Sequence, residues 1–345
     1  MLVHPHAQFI SKVIPERLPT ENDFKQAVVT AQSRLRLASN PLAAIQVLWE
    51  RNPDSFLACE YLCENNGKND IDSTALLESV ICPRFGRQTA IRYALINGLY
   101  LDSAWRAMNA YHCPLTALVT RNDQGRMIPV AVLVSRHATT DVYRRFLQRV
   151  LEAIEAEAQA YLKDPNGGLY QSGTDAARMQ QYCTEIEEDG FTPAFVMIDC
   201  DDAERSAVNL VWPGINIRVC QFHFMQAVRW QGLHLFGNSP EGRLKTRKLM
   251  SYIRKLQRCD MEDRWSEYYK IFKRNVLELA GSTRWEKIHK WLSREWFSER
   301  WRRSAVDYGL PHYWTRENPI ATNNLIEAAF KTFIKVILNC KANRR

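Results

Sequence analysis

The apolar run Ala194-Phe195-Val196-Met197-Ile198 stops on a carboxylate, Asp199, and the chain then turns polar through Cys200-Asp201-Asp202-Ala203-Glu204. A short continuous apolar run is how a strand buried on both faces of a sheet reads. Open α/β sheets gather their chemistry at the C-terminal tips of such strands, so Asp199 constrains both the fold and the place to look for a site. Two further acidic residues, Asp102 and Glu327, also stand at the edges of regular patterns.

Upstream of Asp199, strands are predicted over Tyr93 to Leu101, Leu115 to Thr120 and Met127 to Val134. Asn122-Asp123-Gln124-Gly125 supplies a hairpin turn between the last two. Thr140 is placed to cap a long amphipathic helix with Val142, Phe146, Val150, Ile154 and Tyr161 on one stripe. Pro165-Asn166-Gly167-Gly168 breaks the pattern, and a strand to Asp199, a helix from about Asp202 to Leu210, a Pro213-Gly214 turn and a strand from Ile215 to Cys220 follow. The order β, β, β, α, β, α, β, with three consecutive strands first, predicts an α/β fold of ribonuclease H-like type, a mixed sheet flanked by helices.

Residues 91–221 would then be the first part of the core. Residues 1–90 read as a mainly helical region, with Cys59-x3-Cys63 on a helical pattern as core rather than metal ligand. Residues 222–315 read as an all-helical insertion rich in Trp, Arg and Lys, and residues 316–345 as a final core helix starting near Asn324, followed by a tail.

With 46% hydrophobic and 24% charged residues in 345, the chain suffices for a large core. It holds no run of about 18 apolar residues of the kind a membrane span needs. The start, Met1-Leu2-Val3-His4-Pro5-His6, lacks a basic-then-apolar secretory plan, so an intracellular protein without membrane partners is expected. Nine cysteines at irregular spacing read as reduced thiols. The net charge of +8 is uneven: residues 216–345 carry 26 Lys and Arg against 12 Asp and Glu. A basic half is the footprint of a phosphate-binding surface, although a solvated helical surface would read the same way.

Phosphodiester chemistry needs charge neutralised at the phosphate and an oxygen made nucleophilic, which two Mg²⁺ or Mn²⁺ ions roughly 4 Å apart supply when carboxylates from separate rigid elements converge. Asp102 and Asp199 would be neighbours if their strands pair, and Glu327 on the last helix would close the site. Each also has a plainer reading. Asp102 suits a turn after a strand, and Asp199 stands in an acidic cluster in which Asp202 is a good N-cap. Glu327 lies three residues after Asn324, as in a capping box, and four before Lys331, as in a surface ion pair.

Tyr100-Leu101-Asp102, Asn109-Ala110-Tyr111-His112-Cys113-Pro114-Leu115 and Ile128-Pro129-Val130-Ala131 resemble the first part of the transposase domain of Mutator-like elements. Phe195 to Glu204, Trp212-Pro213 and Cys220-x2-His223 resemble its second part, and Thr322-Asn323-Asn324-Leu325-Ile326-Glu327 its third. The resemblance implies that Asp102, Asp199 and Glu327 are the catalytic, metal-binding set of a DDE transposase that cleaves and transfers DNA strands with two Mg²⁺ or Mn²⁺ ions. It also implies double-stranded DNA, terminal inverted repeats and target alike, as partner, a homo-oligomer on that DNA, and a nuclear location. The alternative is a catalytically inactive, transposase-derived DNA-binding protein.

Cys220 and His223 offer a thiolate and an imidazole, suited to zinc, but two ligands do not close a tetrahedral site. Structural zinc, completed by a residue such as His289 or Cys259, stands beside simple packing as a reading. Arg243, Lys245, Arg247 and Lys248, then Arg302 and Arg303, and Lys331 and Lys335 on the last helix, are the candidate DNA contacts. Larger members of the family add zinc-dependent modules before and after the core. None is visible here, and the tail ends soon after Glu327, which reads as a truncated copy or an incomplete gene model.

Overall fold

The computed structural model describes residues 47–62, 76–104, 114–165 and 173–309. Contacts divide the chain after Pro53. Of the first unit only residues 47–53 are described, helical over 47–51; all that follows concerns the unit beginning at Asp54.

Seven strands form one sheet: β1 Phe56–Leu62, β2 Leu76–Ile81, β3 Leu99–Ala104, β4 Leu115–Arg121, β5 Met127–Ser135, β6 Val196–Ile198 and β7 Ile217–Val219. Their order is β1-β2-β5-β4-β3-β6-β7. The pairings from β1 through to β3 are antiparallel, whereas β3, β6 and β7 run parallel. Between β4 and β5, Asn122 makes the turn by accepting from the Gln124 and Arg126 amides. Parallel strands require crossovers, which helices provide.

The helices in this part of the chain are α1 Arg84–Asn97, which follows β2, α2 Thr140–Lys163 and α3 Gly173–Asp189, which lead to β6, and α4 Asp202–Val211, which joins β6 to β7. In α2, Val142, Phe146, Val150, Ile154 and Tyr161 recur at helical spacing and are all buried, as expected. They join Leu99, Leu101, Val196, Ile198, Ile217 and Val219 in one core cluster on one face of the sheet. The alternate strand residues, Tyr100, Ala117, Val119, Phe195, Met197 and Cys220, form a second cluster on the opposite face. The period-2 alternation of strands makes this division.

Several local expectations need correction. The region up to residue 90 is not mainly helical where described: β1 and β2 extend the sheet at one edge, and Cys59 lies in β1. The run from Tyr93 is helical as far as Asn97 and becomes a strand only after Gly98, whose φ of 69° ends α1. A continuous apolar run does not by its period distinguish strand from helix. Helix α3 was not foreseen, although Met179, Tyr182, Cys183 and Ile186 are buried at helical spacing. The caps each sit one residue earlier than expected, at Thr139 for α2 and Asp201 for α4, because it is their side chains that accept from the exposed amides.

Between 221 and 309 every regular element is helical, as expected: α5 Gln221–Phe236, α6 Pro240–Gln257, α7 Trp265–Ala280, α8 Ser282–Glu295 and α9 Glu299–Ala305, with two 3-10 turns. Trp285, Trp296 and Trp301 are buried here, and Trp296 stacks on Phe224 at 4.2 Å. Buried Arg218 of β7 ties this layer to the sheet, donating to the carbonyls of Arg303 and Val306 at 3.1 and 2.9 Å. Burial pushes its pKa down to about 10, against the pull of Asp307 at 3.8 Å.

Candidate functional site

Asp102 and Asp199 reach the site through the sheet's register. β3 and β6 pair in parallel with Leu99 opposite Val196 and Tyr100 opposite Met197. Continued two residues at the same offset, Asp102 stands level with Asp199. Both also share a face, because Tyr100 and Met197, each two residues before, belong to the second apolar cluster. Asp102 does not follow its strand, as expected, but lies within it, paired with Ala117 and buried. Its backbone is therefore held by the ladder rather than by a turn.

Beyond β7 the chain bends into α5 at Cys220, which is fully buried and whose amide donates to the Ile198 carbonyl at 2.9 Å. That bond holds Cys220 against the tip of β6. His223, three residues on in the first turn of α5, meets Asp199 through a short hydrogen bond between Nδ1 and Oδ1. One donor atom each from Asp199, Cys220 and His223 lie within 4.8 Å of one another. Burial works to lower the His223 pKa, but hydrogen bonds and electrostatic attraction at Asp199 and Cys220 outweigh it and raise it to about 11. At that value the ring is an imidazolium at neutral pH.

The proposed completing ligands lie elsewhere. His289 shares a hydrogen bond with the Tyr269 hydroxyl at 2.6 Å, and the Cys259 thiol donates to the Met261 carbonyl at 3.2 Å. Among the described residues Asp199 is the third donor beside Cys220 and His223. A sequence reading assigned Asp199 wholly to an oxygen-ligand set, and only the packing of α5 against β6 brings sulfur and nitrogen to it.

Glu204 is the residue that sequence reasoning undervalued. It was one of an acidic cluster; in the fold it is buried, and accepts from the Asp199 amide at 3.3 Å and the Ser103 hydroxyl at 3.4 Å. Ser103 follows Asp102, so one carboxyl group touches the backbone of one aspartate and the neighbour of the other. Burial, then the charges of Asp199, Asp201 and Asp102, raise its pKa well above the carboxylate range. The signal was present: Glu204, Ala207 and Val208 form the buried stripe of α4. Asp201 is spoken for, accepting from the Ala203 and Glu204 amides as the cap of α4.

The basic candidates divide. On α6, Arg243, Arg247 and Lys248 are exposed, while Lys245 is paired with Glu241 at 2.7 Å. Arg303 is bound to Glu262 at 2.6 Å, and Arg302 lies over the Trp265 ring. The same stretch of α6 continues in Arg254 and Lys255, also exposed, along a groove of about 490 Å³ between α6 and α7. Glu327, Lys331 and Lys335, with the expected final helix, lie outside the described residues.

No described helix is long and apolar enough to cross a membrane. Comparison with protein-family models and with curated proteins gave no match.

Proposed function

We propose that the chain is the core of a DNA strand-cleaving and strand-transferring enzyme of the DDE transposase class, the Mutator-like family being the one its motifs resemble. The observation that carries this reading is the level placement of Asp102 and Asp199 on one face of adjacent parallel strands. Strand order supports it: β5-β4-β3-β6-β7, three antiparallel strands and then two parallel ones, is the order a ribonuclease H-like core would have, with β1 and β2 at the edge.

Two carboxylates on rigid strands are a hard, oxygen-only pair, which fits Mg²⁺ or Mn²⁺. Asp102 and Asp199 would hold the ions, with Glu327 as the third carboxylate of the set. Bound there, the ions would neutralise charge on the scissile phosphate and activate an attacking oxygen. The protein's own part is placement. The β3 ladder fixes Asp102, His223 orients Asp199, and Glu204, buried and with its pKa raised, accepts from the Asp199 amide. Arg243, Arg247 and Lys248 offer sequence-independent contacts to phosphates, without reading bases.

The test is nicking of supercoiled DNA by the purified chain. Mg²⁺- or Mn²⁺-dependent nicking is expected, falling at least about a hundredfold in Asp102→Asn and in Asp199→Asn, since even outer-shell changes at metal sites cost about 10–100-fold. Undiminished nicking in either variant sinks the reading. One observation favours the alternative, a transposase-derived protein that binds DNA without cutting it: the Asp199 carboxylate is already engaged by a charged His223. Salt-sensitive DNA binding with no metal-dependent nicking would select that alternative.

A further inference from the structure

We infer that Asp199, Cys220 and His223 form a site for a thiophilic divalent cation of the zinc class, three protein ligands with a fourth position open to solvent or substrate. Their donor atoms lie within 4.8 Å of one another. Zinc bonds of about 2.3 Å to sulfur and about 2.0–2.2 Å to nitrogen and oxygen fit within that spread, and the short Asp199–His223 hydrogen bond gives way as both atoms turn to the metal. Cys220 and His223 bracket the first turn of α5, so one local segment presents both. The third ligand arrives from a different element, and the Cys220 amide bond to the Ile198 carbonyl fixes sulfur against the strand that carries it.

The donor set selects the ion. One thiolate and one imidazole favour zinc, cobalt or cadmium over magnesium, and thiolate plus carboxylate balance a divalent charge. Loading displaces the thiol proton and the imidazolium proton, so both leave to solvent as the metal enters. Binding needs only these three side chains. Its consequence rests on the reading of the preceding section: Asp199 belongs to both sets, so a zinc-class ion there takes the second aspartate away from the oxygen-ligated pair, and zinc becomes an inhibitor of strand cleavage.

The test uses the full chain, stripped of metal and titrated with Co²⁺ in the absence of DNA. A thiolate-to-cobalt charge-transfer band saturating at one equivalent and bleached by Zn²⁺ is expected. Cys220→Ser should abolish the band, and His223→Ala and Asp199→Asn should each weaken cobalt binding by about tenfold or more. Asp102→Asn, whose side chain is not in the set, should keep the band, which separates this site from the nicking reaction. No band in the wild-type chain overturns the inference regardless of how any variant folds. A band unchanged in Cys220→Ser, with circular dichroism showing that variant folded, overturns it as well, because the signal would then come from another thiol. A failed nicking assay beside a successful cobalt titration would leave the soft-metal site standing and remove only the proposed enzyme activity.

Discussion

A carboxyl group buried among other carboxylates holds its proton to higher pH than an exposed one, and Glu204 is such a group. Its pKa is raised on folding, so the folded chain binds that proton more tightly than the unfolded one, whose value is near 4.5. Stability from this linkage is complete below about pH 4.5 and is lost as pH rises through the folded pKa. Glu204→Gln keeps one oxygen to accept from the Asp199 amide and offers an NH2 that can donate to the Ser103 hydroxyl, without a titrating proton. The metal-free variant should therefore match wild type near pH 4 and exceed it near pH 8, as read by urea unfolding at both values. At this scale the position of Asp199 just past β6 was legible, because a carboxylate closing an apolar run is a local pattern, whereas Asp102 lies inside β3 and not at its end. The fate of Glu204 was not, since its burial depends on Ser103 and Asp199 arriving from other elements.

At the scale of elements, Gly98 separates α1 from β3 and so decides where the strand bearing Asp102 begins. Its φ of 69° is unfavourable for any side chain, and a Cβ there would run into the Phe195 ring, which packs edge-on against Tyr100 at 5.5 Å. Gly98→Ala should cost about 1–3 kcal/mol, measured by chemical denaturation. It should also disturb the apolar layer that continues directly into the two aspartates. Periodicity predicted α2 and α4 well, because a helix stripe repeats within one turn. It misread Tyr93 to Asn97 as strand, where the apolar run had no period to decide the matter and only the terminating glycine did. The short parallel strands were found from their apolar runs, but β1 and β2 were missed, since edge strands draw much of their definition from pairing partners.

Across the whole molecule, the helical layer and the sheet are joined through a small buried charge cluster. Asp307, itself buried, meets Arg218 at 3.8 Å and Arg258 at 3.0 Å. Asp307→Ala would leave Arg218 buried with only carbonyl partners, and such losses cost about 3–5 kcal/mol. Hydrogen exchange should then quicken first in α9 and β7, ahead of the α1–α2 face; uniform exchange across the molecule would show that the cluster does not join these layers. No run of residues announces this contact, because Arg218 and Asp307 lie on opposite sides of five helices in the chain.

By itself the sequence determined the inventory: which segments repeat with period 2 or 3.6, that the apolar run into β6 closes on a carboxylate, where basic residues concentrate and that Cys220 and His223 share one turn. These are interactions between residues a few positions apart, written in neighbouring letters. Only the tertiary structure decided that Asp102 stands level with Asp199, that Asp199 rather than His289 or Cys259 joins Cys220 and His223, and that Glu204 is sealed between the two strand tips. Each of those depends on strand register and helix docking, which many distant side chains set together and which no single segment encodes.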